Sequence, residues 1–364
     1  MSSLTGLNIK MAIFGESHGK SIGVVLDGLP PGIALDLEAL QRELDRRAPG
    51  KNLLSTQRKE TDCFTIQSGF FEGHTTGTAL CAIIPNSDQH SKDYSILKDK
   101  MRPGHADYAG RVHYQGFNDY RGGGAFSGRI TAPLVFAGAV AKQALAQYGI
   151  KVGSHILSIQ DVQESHFNPL GVADEVLEQL AARDFAVLED SKGQEMQDRI
   201  LAARQEQNSV GGQIETIVTH VPAGLGAPYF DSLESCLSKL LFSVPAVKAV
   251  EFGTGFELTR MTGAEANDQL YFDKEQVVAY TNHNGGITGG LTNGMPILFR
   301  VGIKPTPSIA REQKTISMEN HCNTTLKIAG RHDPCIVQRA VPVIEAVTAW
   351  TIWDLLLEAK KWER

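Results

Sequence analysis

The chain has 364 residues, 42% of them apolar and 21% charged. That is ordinary globular usage, long enough for one large domain or two halves, and it excludes bulk disorder. Lys plus Arg is 35 against 41 Asp plus Glu, a net charge of −6. That balance excludes wholesale binding to nucleic acid or anionic membrane but leaves room for a local basic pocket. The five cysteines, Cys63, Cys81, Cys236, Cys322 and Cys335, are scattered, with no C-x-x-C. They read as reduced thiols of a cytoplasmic chain, with no disulfide framework and no metal site. The N-terminus lacks the pattern of a signal peptide. The apolar run Ala132–Ala141 stops at Lys142, too short to span a bilayer.

Alternation of Ile9, Met11 and Ile13 predicts a strand over Asn8–Phe14, and Ile22–Leu26 predicts a second. Leu29-Pro30-Pro31-Gly32 is a turn. Asp36 then caps a helix with Leu37, Leu40 and Leu44 on one face, ending at Arg46-Arg47 before Pro49-Gly50. Residues 60–130 are rich in glycine and polar side chains, which predicts short strands and long loops. Thr131 is positioned to cap a helix with Pro133 in its first turn and Gly149 at C′. A polar-faced helix over Gln194–Gln205 and a strand over Gln213–Val221 follow.

Val221-Pro222-Ala223-Gly224 repeats the earlier turn, and Asp231 with Glu234 fits a D-x-x-E capping box opening a Leu-rich helix. Strand, (L/V)-P-x-G turn and capped helix, occurring twice, predict two related halves, about 1–150 and 151–364, in a single domain. Strand–turn–helix is common, so an accidental echo remains the alternative. The last helix, Val337–Trp362, carries Trp350, Trp353 and Leu357 at helical spacing, as core or subunit-contact residues.

Gly15-Glu16-Ser17-His18-Gly19 matches the G-x-S-x-G pattern of a serine hydrolase. That pattern needs a helix directly after the serine, whereas a strand is predicted here. The remaining reading is a tight loop presenting a hydroxyl and an imidazole for phosphate binding or proton transfer. The ordinary role of a lone histidine is a structural hydrogen bond. Further loops are Arg102-Pro103-Gly104-His105-Ala106-Asp107, Arg121-Gly122-Gly123-Gly124, Asn282–Gly290, Lys304-Pro305-Thr306-Pro307-Ser308 and Gly330-Arg331-His332-Asp333-Pro334. Each alone is a weak signal. Together they supply cations, hydroxyls, imidazoles and Gly-rich backbone without metal-ligand spacing, which implies a phosphorylated, carboxylated small molecule. Neither G-x-G-x-x-G nor a Walker A motif is present.

Taken in order, these loops resemble the chorismate synthase family over nearly the whole chain. The likeness includes Asp45-Arg46-Arg47, Thr75-Thr76-Gly77-Thr78, Asp119-Tyr120-Arg121-Gly122-Gly123-Gly124 and Lys304-Pro305-Thr306. The resemblance implies an α+β fold, a β-α-β sandwich of two similar halves with helices inside and antiparallel sheets outside. It implies a lyase that eliminates phosphate from 5-enolpyruvylshikimate 3-phosphate by an anti-1,4 route to give chorismate. The family requires reduced FMN without net redox change and is usually a homotetramer. A non-catalytic flavin- or phosphate-binding relative is the alternative.

By the same resemblance His18 protonates the departing phosphate, His105 donates a proton near the flavin N1 edge, and Asp333 works with flavin N5 in taking the hydrogen. Ser17, Arg47, Ser127, Arg129 and Arg331 correspond to ligands of substrate phosphate or carboxylates. Flavin contacts map to Ser127, Ala246, Gly289, Lys304, Pro305, Thr306, Pro307, Ser308 and Arg331. The sequence carries no NADPH motif, so an external flavin reductant is expected. It departs from the family's common R-S-S-A-R-E-T at Ala125-Phe126-Ser127-Gly128-Arg129-Ile130-Thr131, and Pro245 replaces an asparagine. Leu53 replaces a second substrate-binding arginine, with Lys51 and Arg58 as the nearby cations able to take its place.

Overall fold

The computed structural model describes residues 3–50, 54, 61–87, 96–328 and 333–361. Lys51, Leu53, Arg58, Arg331 and Trp362 lie outside them, and so do the expectations that rest on these residues.

The first half runs β1 (Lys10–Gly15), β2 (Ser21–Asp27), α1 (Leu37–Arg47), β3 (Thr65–Ser68), β4 (Leu80–Pro85), α2 (Asp107–His113) and α3 (Thr131–Ala146). The second runs β5 (Lys151–Ile159), α4 (Asp174–Ala182), α5 (Asp190–Gln205), β6 (Gly212–Thr219), α6 (Leu233–Leu241), β7 (Val247–Phe252), β8 (Ile297–Ile303), β9 (Gln313–Ser317), β10 (Cys322–Leu326) and α7 (Val337–Lys360). Each half builds one five-stranded antiparallel sheet, beside smaller two-stranded ones. The first has the order β1-β2-β4-β3, with Leu4–Thr5 outside β1. The second has the order β5-β6-β8-β7, with Val162–Gln163 outside β5. In both sheets the second strand leads through a turn to a Leu-rich helix, and the fourth member in sequence pairs beside it.

The core lies between the sheets. Ile22, Val24 and Leu26 of β2 are buried at alternate positions, as the period of a strand requires. α3 and α7 are apolar nearly all round and run through the centre, which places helices inside and sheets outside. They cross at Gly138, where an added Cβ would fall 2.2 Å from the Ala346 Cα, so only glycine permits this approach. α7 is long and apolar enough to cross a membrane, yet 94% of its most apolar stretch is buried inside the molecule. Trp350 and Trp353 pack edge to face within it, ring centroids 6.1 Å apart. Near its end Asp354 accepts hydrogen bonds from the backbone N–H groups of Leu7, Asn8 and Ile9, tying the chain's start to the central helix.

Local expectations shift in a few places. Asp36 caps α1 as expected, accepting from Ala39 N at 3.0 Å, but Leu37 is largely exposed and only Leu40 and Leu44 enter the core. The cap of α6 is Ser232, which accepts from Ser235 N at 3.1 Å; Asp231 belongs to the preceding turn, so the D-x-x-E box does not form. A capping box is made instead by Thr262 and Glu265. Thr131 is the first residue of α3 rather than its cap, and Gly149 falls one residue past C′, with φ +72°. α5 starts four residues before Gln194, because Asp190 and the residues after it continue its polar turn.

Candidate active site

One end of the sandwich gathers the last residue of α1, the loop entering α3, the turn from α6 into β7, the exit of β8 and the start of α7. They surround a cavity of about 530 Å3, within the range of small-molecule sites. Arg47, His105, Ser127, Arg129, Ala246, Lys304, Thr306, Pro307, Ser308 and Asp333, all expected from sequence, line it. Both halves of the chain contribute.

Ser17 and His18 lie behind this wall, buried against the loop Gly122–Gly124. All three glycines have positive φ, and a Cβ on Gly122 would fall 2.3 Å from the His18 ring and 2.8 Å from Ser17 Oγ. A Cβ on Gly123 would fall 3.1 Å from the His105 ring. The glycine loop is therefore a thin partition with one imidazole on each side, and the need for bare backbone explains the triple glycine. Ser17 Oγ is buried with no hydrogen-bond partner among the described residues, an unusual state for a hydroxyl. β2, not a helix, follows this loop, so the strand-to-helix elbow of a serine hydrolase is not formed.

His105 is fixed by a carboxylate that the motif placed two residues away. Its Nδ1 lies 2.6 Å from Asp107 Oδ1 and 3.1 Å from Arg102 Nη2. An ionised carboxylate can only accept, so at this distance Nδ1–H donates to Asp107 and Nε2 is left beside Gly123. Arg102 grips the same carboxylate through its backbone N, Nε and Nη2, and donates to Ser308 Oγ at 3.0 Å. Burial raises the cost of charge on Asp107, but the hydrogen bonds from Arg102 and His105 outweigh it and hold the carboxyl well below the usual range.

On the facing wall, Asp333 Oδ2 accepts from Arg339 Nη1 at 2.7 Å, and Arg339 Nε donates to Arg47 O at 3.1 Å. Thr306 Oγ1 donates to Asp333 O at 2.9 Å. Lys304 Nζ donates to Gly104 O, joining the β8 exit to the His105 loop.

Arg47 and Arg129 share a counter-ion that the motifs did not reveal. Asp62, 15 residues past Arg47, accepts from both, its Oδ2 lying 2.8 Å from Arg47 Nη1 and its Oδ1 meeting Arg129 Nη1. Gly289 is not brought to this cavity. It lies in the hairpin Ile287–Thr288/Leu291–Thr292 beside the start of α6, whereas the residues after the end of α6 line the cavity. A nine-residue helix separates the two places, roughly 13 Å at 1.5 Å per residue. Pro305 lies between two lining residues without itself lining the space. Among the described residues no cluster of His, Cys, Asp and Glu suits a metal ion.

A family model described as chorismate synthase matches residues 9–357. A chorismate synthase of Pyrococcus abyssi is 44% identical over 363 residues, covering 99% of both chains. Those of Dehalococcoides mccartyi and Methanocaldococcus jannaschii are 42% and 43% identical, covering 99% and 96% of this chain and 98% and 94% of theirs. A solved crystal structure of chorismate synthase superposes with a TM-score of 0.77 at 28% identity, covering 98% of this chain and 93% of that one.

Proposed function

The chain belongs to the chorismate synthase family, carbon–oxygen lyases of the shikimate pathway, and from that premise we propose that the cavity between its halves takes 5-enolpyruvylshikimate 3-phosphate together with FMN. The observation that carries the reading is the pair of histidines on opposite faces of the Gly122–Gly124 partition, beside a wall of arginines. The wall also fits the flavin. Phe126, Ile336, Ala340 and Val343 give an apolar side for a ring system, and Lys304, Ser127, Thr306 and Ser308 give donors for a phosphate chain. The orphaned Ser17 Oγ is a further donor awaiting an anion. Reduced FMN, when bound, supplies electron density for breaking the C–O bond and ends unchanged.

The chain's own groups hold substrate and move protons. Arg47 and Arg129 receive anionic oxygens of the substrate. Ser17 and His18 lie behind the Gly122–Gly124 loop, and His18 gives the departing phosphate a proton where that loop lets the phosphate reach them. His105 acts as a proton donor, its ring fixed by Asp107 through Nδ1–H. Asp333 accepts the proton taken from the substrate ring, its carboxylate aimed by Arg339. We read the two halves, about 1–150 and 151–364, as a pseudo-repeat, supported by their common strand order. We also read the protein as a cytoplasmic homotetramer that depends on an external flavin reductant. Free thiols and exposed aromatics such as Phe230 and Phe272 support the compartment and the assembly.

An anaerobic assay with the enolpyruvyl substrate tests this. With reduced FMN, chorismate and phosphate form in about equal amounts; with oxidised FMN alone, neither forms. Equal rates in air without a reductant would remove the flavin from the reading.

A further inference from the structure

Asp62 does not line the cavity; Arg47 and Arg129 do. Its side chain is fully buried behind them, and theirs are 3% and 2% exposed. Two cations taken out of water side by side repel one another, and the shared carboxylate is the counter-charge between them. Burial works against an ionised Asp62, but the charges of Arg47 and then Arg129 prevail and hold it below the ordinary range.

The remaining bonds fix the planes of both guanidiniums. Arg47 Nε donates to Thr131 Oγ1 at 3.1 Å and Nη2 to Gly128 O at 2.7 Å. Arg129 Nε donates to Asn86 Oδ1 at 2.9 Å and Nη2 to Pro85 O at 3.1 Å. Each guanidinium has five N–H groups. For Arg47 three are engaged by these contacts, so two remain for a ligand.

Resting on the reading that these two arginines receive substrate anions, we infer that Asp62 is a positioning residue for that site, fixing the spacing and planes of Arg47 and Arg129 before the anion arrives. It acts through the arginines and need not touch the substrate.

Asp62→Asn tests it. An amide has one acceptor oxygen, and its NH2 meets the second guanidinium donor to donor. One arginine is released while the site gains a unit of positive charge. At saturating substrate and reduced FMN, kcat should fall about ten- to a hundredfold, the scale expected when a binding group is displaced by about 1 Å. Inorganic phosphate, titrated calorimetrically without flavin, should bind at least as tightly as to the parent. A merely structural defect would weaken phosphate binding along with kcat. An unchanged kcat, or a kcat loss matched by an equal loss of phosphate affinity, overturns the inference.

If Asp62→Asn does not fold, Asp62→Asn/Arg129→Met matches one guanidinium to one amide oxygen and is compared with Arg129→Met alone. The added change should cost less than about threefold in kcat, because the interaction it removes is already gone. A further tenfold loss overturns the inference. Arg47→Met and Arg129→Met also separate the two layers of the argument. If neither raises substrate KM nor weakens phosphate binding, the reading of the arginines fails. If both do so while Asp62→Asn is silent, only the positioning role fails.

Discussion

Replacing Asp107 by asparagine probes how His105 is held. The carboxylate takes the His105 Nδ1 proton at 2.6 Å on Oδ1 and Arg102 at 2.7 Å on Oδ2. An amide keeps one of these oxygens and presents NH2 at the other. With the oxygen turned to Arg102, the NH2 meets His105 Nδ1, which must then accept, and the neutral ring carries its proton on Nε2 instead. With the oxygen turned to His105, Arg102 Nε and backbone N lose their acceptor while Nη2 keeps one, and the loop that aims the ring loosens. A hydrogen bond to a charged group is worth about 1.5–3 kcal/mol, which corresponds to about ten- to a hundredfold in rate if it is made only in the transition state. The assay is anaerobic turnover with reduced FMN at saturating substrate, alongside FMN affinity, which should stay within about threefold. Stability supplies a second reading. Because the folded-state carboxyl lies below its ordinary ~3.9, its contribution is present above that pH and is lost as pH falls toward the folded value. The parent should therefore exceed Asp107→Asn in stability at pH 7, with the gap closing below about pH 4. Turnover within threefold of the parent, or a gap that widens on acidification, would refute the reasoning.

Glu345 lies buried on α7 with Arg46 and Lys142 each at 2.6 Å; burial opposes its charge, but the two cations bring its pKa down to about 2. Glu345→Gln should cost about 1.5–3 kcal/mol at pH 7 in denaturant unfolding, since Arg46 and Lys142 each lose a charged partner and keep Glu43. The loss should shrink as pH falls from about 4.5 toward 2, and no loss at pH 7 would count against the pairing. Gly122→Ala places a methyl 2.3 Å from the His18 ring at φ +57°. Turnover should fall about a hundredfold while the melting temperature drops only a few degrees, the left-handed backbone costing about 1–2 kcal/mol; a parent-like rate would show that His18 can move freely.

How much of this was legible depended on the range over which the physics acts. Local signals read well: alternation located β1, the apolar segment Ile22–Leu26 located β2, and the Asp36 cap located α1. β5 and β8 are buried along most of their length, so they carry no alternation to distinguish a strand from any other apolar segment. α2 was missed because Asp107–His113 is mostly exposed, with Gly110 as its one buried residue, and so shows no apolar stripe. At the site, the glycine loops marked where bare backbone was needed. Asp107 was visible because its histidine is two residues away. Asp62 and Arg339 were not, since the groups they serve lie elsewhere in the chain or, for Asp333, across the start of α7. Gly289 lies apart from these groups, in a hairpin at the start of α6.

The acidic balance of the chain and its cationic site are compatible because of how the local carboxylates are used. Arg47, Arg102, Arg129, Lys304 and Arg339 line the cavity, and Asp62, Asp107 and Asp333 are bonded among them. Among the described residues the local excess is two positive charges, in a protein of net charge −6. Each carboxylate lies on a guanidinium or an imidazole and fixes its direction. A fully uncompensated set of buried cations would be costly before any substrate arrived. A fully neutralised set would give an anion no reason to enter. Five cations braced by three acids lie between those limits, so the field at the cavity is positive and its sources are already oriented when the anion binds.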